Sequence, residues 1–187
     1  MSLVWINQKA LKRDTCKLLL SRFFAAKMTE AQIGLGENRE VAVAVNEDEN
    51  FRLKYVDTLG RTCYNLAPDN PDFDYVIDKI EPFLPKSEKF ARVTFCQFIH
   101  YPEGTFMPYH KDSADKNDTG TALVFLNEDF RGGRLSVNGV DVNPSLGDVI
   151  AFEDSTEVWH GVEPIYKGDR IVVAIWFGYP EDEPEDC

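Results

Sequence analysis

Cysteine is scarce in this chain, and its spacing does not match a metal-binding or disulfide-bonded framework. The 187 residues contain four cysteines and no Cys-x-x-Cys pair. They are Cys16, Cys63, Cys96 and Cys187. Neither a zinc ribbon nor a disulfide scaffold is indicated, so reduced thiols are expected. Long apolar runs are also lacking, since the run nearest the N-terminus covers only residues 18–20. We therefore expect a cytoplasmic protein without a signal peptide or a membrane span.

Basic residues are too few for a role that depends on neutralising phosphates. Lysine and arginine number 20 against 32 acidic residues, which gives a formal net charge of −12. This balance disfavours nucleic acids and anionic membranes as partners. Part of the charge belongs to the end of the chain, where residues 181–187 form a predicted acidic tail. The remaining composition, with 43% hydrophobic and 12% aromatic residues, is typical of a folded globular protein.

Hydrophobic patterning predicts helices early in the chain and short strands later. Helices are expected over 11–24 and 71–84, with a hairpin of strands 41–45 and 51–56 between them. The later strands are separated by glycine and asparagine turns. They are expected at 91–101, 121–126, 135–137, 148–152 and 170–177. The expected fold class is therefore mainly β with flanking helices, either a sandwich or a barrel.

Histidine occurs three times, so each position can be weighed singly. His110 and Asp112 form a His-x-Asp pair, whose side chains share one face of an extended backbone. His160 follows about fifty residues later, where a returning strand could bring it beside the pair. Two histidines and one carboxylate are the ligands of non-haem Fe(II) oxygenases. A zinc hydrolase could use the same three ligands.

Arg170 favours the oxygenase interpretation. In the predicted strand 170–177, alternation places Arg170 and Trp176 on one face and an entirely apolar set on the other. A buried arginine requires an anion, and the carboxylate of a metal-chelating cosubstrate would supply one. Tyr101 ends the strand that leads into the His110 turn, so its hydroxyl could meet the same carboxylate.

Six ordered segments then resemble a known family. They are 97–104, 109–112, 121–127, 132–135, 142–152 and 160–177. Together they are similar to the Fe(II)- and 2-oxoglutarate-dependent dioxygenases, within the prolyl 4-hydroxylase-like branch, over residues 92–179.

The resemblance implies a double-stranded β-helix, or jelly-roll, barrel over residues 91–180, supported within the same domain by residues 1–90. It implies Fe(II) ligation by His110, Asp112 and His160, with O2 and 2-oxoglutarate as cosubstrates and ascorbate as a candidate reductant. Arg170 would bind the distal carboxylate of 2-oxoglutarate, Tyr101 would assist it, and Trp176 would form a pocket wall.

The implied activity is hydroxylation of an unactivated C–H bond with release of succinate and CO2, most directly on a peptidyl proline. Arg134 stands where relatives often carry glutamate, which leaves peptide recognition open. The alternatives are a hydroxylase of a free amino acid or small metabolite, and a non-catalytic sensor of iron and 2-oxoglutarate. The sequence predicts no oligomeric state, but it indicates residues 113–119 as a candidate lid.

Overall fold

The structure, a computed structural model, describes residues 4–26, 54–57, 59–112, 118–153 and 157–179. The expected strand 41–45 and the acidic tail 181–187 lie outside the described residues. So does most of the candidate lid, of which only 118–119 are described.

Two α-helices pack on one face of the main sheet. Helix α1 spans Arg13–Ala25 and buries Leu19 and Phe23, while helix α2 spans Phe73–Ile80 and buries Val76 and Ile80. The second helix is shorter than predicted, because Pro82 lacks the amide that would continue the α-helical hydrogen bonds. A 3-10 turn over Glu81–Phe83 follows it, and another covers Glu88–Phe90.

Thirteen strands are found among the described residues. They are β1 (Val4–Asn7), β2 (Lys54–Val56), β3 (Thr62–Leu66), β4 (Val93–Tyr101), β5 (Met107–His110), β6 (Asp118–Phe125), β7 (Arg131–Gly132), β8 (Leu135–Val137), β9 (Val140–Val142), β10 (Val149–Glu153), β11 (His160–Val162), β12 (Ile165–Lys167) and β13 (Arg170–Gly178). Every later strand predicted from the sequence is present within a few residues of its expected bounds.

The strands form a jelly-roll arrangement of a large and a small antiparallel sheet. The large sheet has the order β1-β10-β6-β13-β4-β3-β2, and the small sheet has the order β5-β11-β8-β9. A two-stranded ribbon pairs β12 with β7. Consecutive strands repeatedly join different sheets, so residues distant in sequence meet at the barrel mouth. The expected double-stranded β-helix is confirmed.

Strand β13 divides the core into two layers, as its alternation predicts. Val173 and Ile175 belong to the layer that the two helices cover. Val172 and Ala174 belong to the inner layer of the barrel, with Trp176 packed at its edge. The expected face of small and medium residues therefore lines the barrel interior, and Arg170 begins that strand.

None of the described helices is long and apolar enough to cross a membrane.

Candidate metal centre and anion pocket

The two histidines of the predicted triad are brought together by strand pairing. His110 ends β5 and His160 begins β11, and the two residues are directly opposite in the small sheet. Their ring centroids lie 4.4 Å apart. The short strands carry no strong alternation of their own, so this contact depends on the sheet rather than on local sequence.

Backbone carbonyls orient both imidazole rings. Nδ1 of His110 lies 2.8 Å from the carbonyl oxygen of Pro108, and Nδ1 of His160 lies 3.1 Å from that of Val158. A carbonyl oxygen can only accept, so each Nδ1 carries the hydrogen and donates it. Each Nε2 then has a free lone pair, which is the form of histidine that binds a metal.

Asp112 completes the cluster two residues beyond the end of β5. Its Oδ1 lies 3.6 Å from Nε2 of His110 and 3.4 Å from Nε2 of His160. Its Oδ2 accepts hydrogen bonds from Thr121 Oγ1 at 3.0 Å and Trp176 Nε1 at 3.2 Å. Burial acts to raise the pKa of Asp112, but the adjacent His110 and His160 side chains and the hydrogen bond from Thr121 outweigh it, so the pKa is held well below the usual range.

The donor set fits a divalent transition metal. The three ligand atoms lie within 4.8 Å of one another. Metal bonds near 2 Å would place adjacent octahedral donors about 3 Å apart, so small side-chain adjustments would close the cluster on an ion. The low pKa keeps the carboxylate ionised, and the Nε2 atoms of both histidines lie within 3.6 Å of it, so no ring flip is needed to bring the three donors together.

A second unsatisfied feature lies on the same inner layer of the barrel. The side chain of Arg170 is fully buried, with the residue 1% exposed. None of its three guanidinium nitrogens has a hydrogen-bond partner among the described residues. The group lies between two rings, 4.8 Å from the Tyr101 centroid and 4.9 Å from the Phe125 centroid. Burial lowers its pKa, and the neighbouring Arg61 adds to that effect while Tyr101 opposes it.

This geometry is typical of a site that binds an external anion. A buried guanidinium without partners is costly, and a bound carboxylate would satisfy it through two parallel hydrogen bonds. Gly133 gives the Arg170 stem its room, because a Cβ at that position would approach Arg170 Cδ to 3.0 Å. The predicted partner Tyr101 lies directly opposite Arg170 in the sheet.

Two polar residues of this region escaped the sequence analysis. Strands β6 and β13 pair so that Thr121 lies opposite Trp176. Only this pairing brings Thr121 into contact with Asp112. Arg61 is buried and donates a hydrogen bond from Nη1 to Tyr101 Oη at 3.2 Å. A hairpin signal at Gly60, whose φ is +80°, could have located the turn but not the contact.

Two exposed aromatic residues precede the histidines of the cluster along the chain, and strand alternation places them on the opposite face of the small sheet. Tyr109 precedes His110 and Trp159 precedes His160, and their rings stack 5.9 Å apart at an interplanar angle of 14°. They are 48% and 47% exposed. Lys111, which pairs with Glu157 at 2.7 Å, lies 5.9 Å from the centre of the Trp159 ring.

The remaining sequence candidates lie apart from this cluster. His100, the third histidine, packs edge-on against Phe23 of α1, with ring centroids 6.1 Å apart. Arg134 forms ion pairs with Asp141 at 3.0 Å and with Glu163. These two carboxylates account for the charge of Arg134.

Comparison with known proteins agrees with this geometry. Residues 96–178 match the family model of the 2OG-Fe(II) oxygenase superfamily. Prolyl 3-hydroxylase 2 of Homo sapiens is 36% identical over 64 residues, covering 30% of this chain and 9% of the relative. The chain therefore matches only a small part of the length of its curated relatives.

Solved structures share the fold along most of the chain. A prolyl-4-hydroxylase of Pseudomonas putida has a TM-score of 0.61 and 23% identity, covering 94% of this chain and 92% of that protein. A prolyl hydroxylase of Trichoplax adhaerens, in complex with a hypoxia inducible factor peptide fragment, has a TM-score of 0.59 and 18% identity, covering 94% and 83%. At these identities the structures show a common fold.

Proposed function

We propose that this chain hydroxylates an unactivated C–H bond of a peptidyl proline. It belongs through residues 96–178 to the 2OG-Fe(II) oxygenase superfamily. The observation that carries the proposal is one barrel interior that holds two incomplete sites. The first is a His-Asp-His cluster ready for a metal, and the second is a buried arginine that lacks an anion. A cosubstrate that chelates the metal and carries a second carboxylate would complete both.

In this proposal His110, Asp112 and His160 hold Fe(II). Bound iron supplies the activation of O2 that couples decarboxylation of 2-oxoglutarate, to succinate and CO2, with hydroxylation of the substrate. Three protein ligands leave three coordination positions open, enough for a bidentate oxoacid and O2. Ascorbate would keep the metal reduced.

Three other residues of the barrel interior would position the cosubstrate and the Asp112 carboxylate. Arg170 would bind the distal carboxylate of 2-oxoglutarate, and Tyr101 would assist it. Trp176 would form a wall of the cosubstrate pocket and would have a second role, since its Nε1 donates to Asp112. It would therefore fix the carboxylate that binds the metal, while its ring forms part of the inner layer.

An exposed aromatic pair on the outer face of the small sheet supports a peptide as the substrate, because a peptide can extend beyond the cluster to reach it. Tyr109 and Trp159 each precede a histidine of the triad and are about half exposed. Stacked rings provide a flat apolar surface at which the flanking residues of a peptide can pack with little entropy loss. A small metabolite would be enclosed at the cluster and would not reach these rings. The bound peptide of the Trichoplax adhaerens relative is consistent with this choice.

The proposal is tested by incubating the protein with Fe(II), 2-oxoglutarate, ascorbate and a library of proline-containing peptides. Succinate is measured together with the gain of one oxygen atom by mass spectrometry. Trp159→Ala should raise the KM for the peptide about tenfold or more, as interface aromatics usually do. Phe24→Ala, which removes an exposed ring from α1, serves as the matched control and should leave KM unchanged.

Two other results would redirect the proposal. Hydroxylation of a free amino acid or metabolite, with peptides inert, would favour the small-molecule alternative. Binding of 2-oxoglutarate without succinate from any substrate would favour the sensor alternative.

We also propose a cytoplasmic location, which the buried thiols of Cys16 and Cys96 support. Subcellular fractionation would test it.

A further inference from the structure

Four buried side chains form one row across the end of the large sheet. Asp57 follows β2, Arg61 precedes β3, Tyr101 ends β4 and Arg170 begins β13. Thr62 is opposite His100, so Arg61 is opposite Tyr101 in the next position, and Tyr101 is in turn opposite Arg170. All four residues are at most 6% exposed.

Asp57 binds Arg61 with both carboxylate oxygens, each of which accepts two hydrogen bonds. Oδ2 of Asp57 accepts from Nε and Nη2 of Arg61, each at 2.6 Å. Oδ1 accepts from the backbone amides of Leu59 and Arg61 at 3.0 and 2.8 Å. The carboxylate therefore fixes the guanidinium plane, and one further nitrogen of Arg61, Nη1, reaches Tyr101 Oη at 3.2 Å.

This contact determines what the tyrosine hydroxyl can do. A phenol has one proton to donate, and its oxygen accepts from other donors. Because Arg61 can only donate, Tyr101 accepts from it and keeps its own proton for another acceptor. Arg170 is a cation and cannot accept that proton. The row thus contains two guanidinium groups and one carboxylate, with a hydroxyl proton available beside the arginine that lacks partners.

We propose that Arg61 is a positioning residue of the 2-oxoglutarate site. By donating to Tyr101 Oη, it directs the hydroxyl proton toward the distal carboxylate that Arg170 binds, and it adds a second positive charge behind that carboxylate. This inference rests on the proposed function. It extends the cosubstrate site to the hairpin of β2 and β3, which precedes the family-matched residues 96–178.

The test measures cosubstrate affinity rather than turnover. Protein loaded anaerobically with Fe(II) is titrated with 2-oxoglutarate, and with 2-oxobutyrate, which chelates the metal equally but lacks the distal carboxylate. Arg61→Lys keeps a charge for Asp57 but cannot bind both partners with one planar fork. It should weaken 2-oxoglutarate about tenfold, the usual effect of losing a hydrogen bond in a charged network. Affinity for 2-oxobutyrate should not change.

A double-mutant cycle separates positioning from simple structural support. If Arg61 acts through the tyrosine hydroxyl, Arg61→Lys should cost little more once Tyr101→Phe has removed that hydroxyl. Additive losses in the cycle, or equal losses for both oxoacids, would overturn the proposal. Arg134→Lys is the matched control, because that arginine is also held by ion pairs, with Asp141 and Glu163, but lies on the surface.

A second variant serves as the control in case Arg61→Lys does not fold. Should Arg61→Lys unfold, Asp57→Asn combined with Arg61→Gln removes both charges and leaves no buried ion alone. It should show the same selective loss of 2-oxoglutarate, and full retention of affinity would contradict the proposal. Failure of the unaltered protein to bind 2-oxoglutarate would instead reject the proposed function itself.

Discussion

Replacing Arg170 by methionine should raise the stability of the apoprotein while removing its response to 2-oxoglutarate. The guanidinium is fully buried, and its nitrogens have no hydrogen-bond partner among the described residues. Its contacts with the Tyr101 and Phe125 rings are ones that a thioether side chain can replace. Only an arginine, however, offers the planar fork that a carboxylate requires.

The two effects have opposite signs and comparable sizes. Exchanging a buried ionic group for an apolar side chain of similar volume stabilises proteins by about 1–4 kcal/mol in favourable cases. For a chain of this size, each kcal/mol shifts Tm by about 2–4 °C, so the apoprotein should gain roughly 2–16 °C. Loss of the charged partner should weaken cosubstrate binding by about 2–5 kcal/mol.

Thermal denaturation measures both effects in one assay. With metal present, 2-oxoglutarate at a hundred times Kd should stabilise the unaltered protein by about 2.7 kcal/mol and the variant by nothing measurable. Arg13→Met is the control, since Arg13 pairs with Glu128 at 2.6 Å on the exposed surface. It should change stability by less than about 1 kcal/mol. A destabilised Arg170→Met apoprotein that still binds 2-oxoglutarate would refute the reasoning.

Other predictions concern single side chains. His110→Ala should abolish iron binding, measured by metal analysis after dialysis, with an unchanged circular dichroism spectrum; collapse of the fold would indicate a structural metal instead. Cys16 should resist alkylation in the native protein at pH 8, because burial raises the pKa of its thiol to about 11. Burial raises the pKa of Cys96 as well, and mass mapping that finds either cysteine rapidly modified would contradict the packing. Arg134→Ala should leave the midpoint of denaturant unfolding nearly unchanged, because its ion pairs are partly exposed.

Local patterns predict the residues whose positions depend on strand alternation. The two faces of β13 follow from its sequence, because a period of two assigns Arg170 to the face opposite the apolar set. The triad follows from residue type and spacing, since two of the three histidines supply a His-x-Asp pair and one later histidine. The resemblance assigned the remaining roles.

The sequence could not predict contacts that depend on register between distant strands. Strands β5 and β11 have four and three residues, too few for a periodic signal, and they form because they pair with each other. Thr121 reaches Asp112 through the pairing of β6 with β13. Arg61 reaches Tyr101 because β3 pairs with β4, although the strand of residues 62–66 was not predicted.

The most direct test of the central claim is an anaerobic titration of apoprotein with Fe(II) and then 2-oxoglutarate. A chelated 2-oxoacid gives a visible metal-to-ligand charge-transfer band, so the band should appear in the unaltered protein. It should be lost in His160→Ala, whose imidazole Nε2 lies 3.4 Å from the Asp112 carboxylate. A folded protein that gives no band, or a band that persists in His160→Ala, would contradict the account.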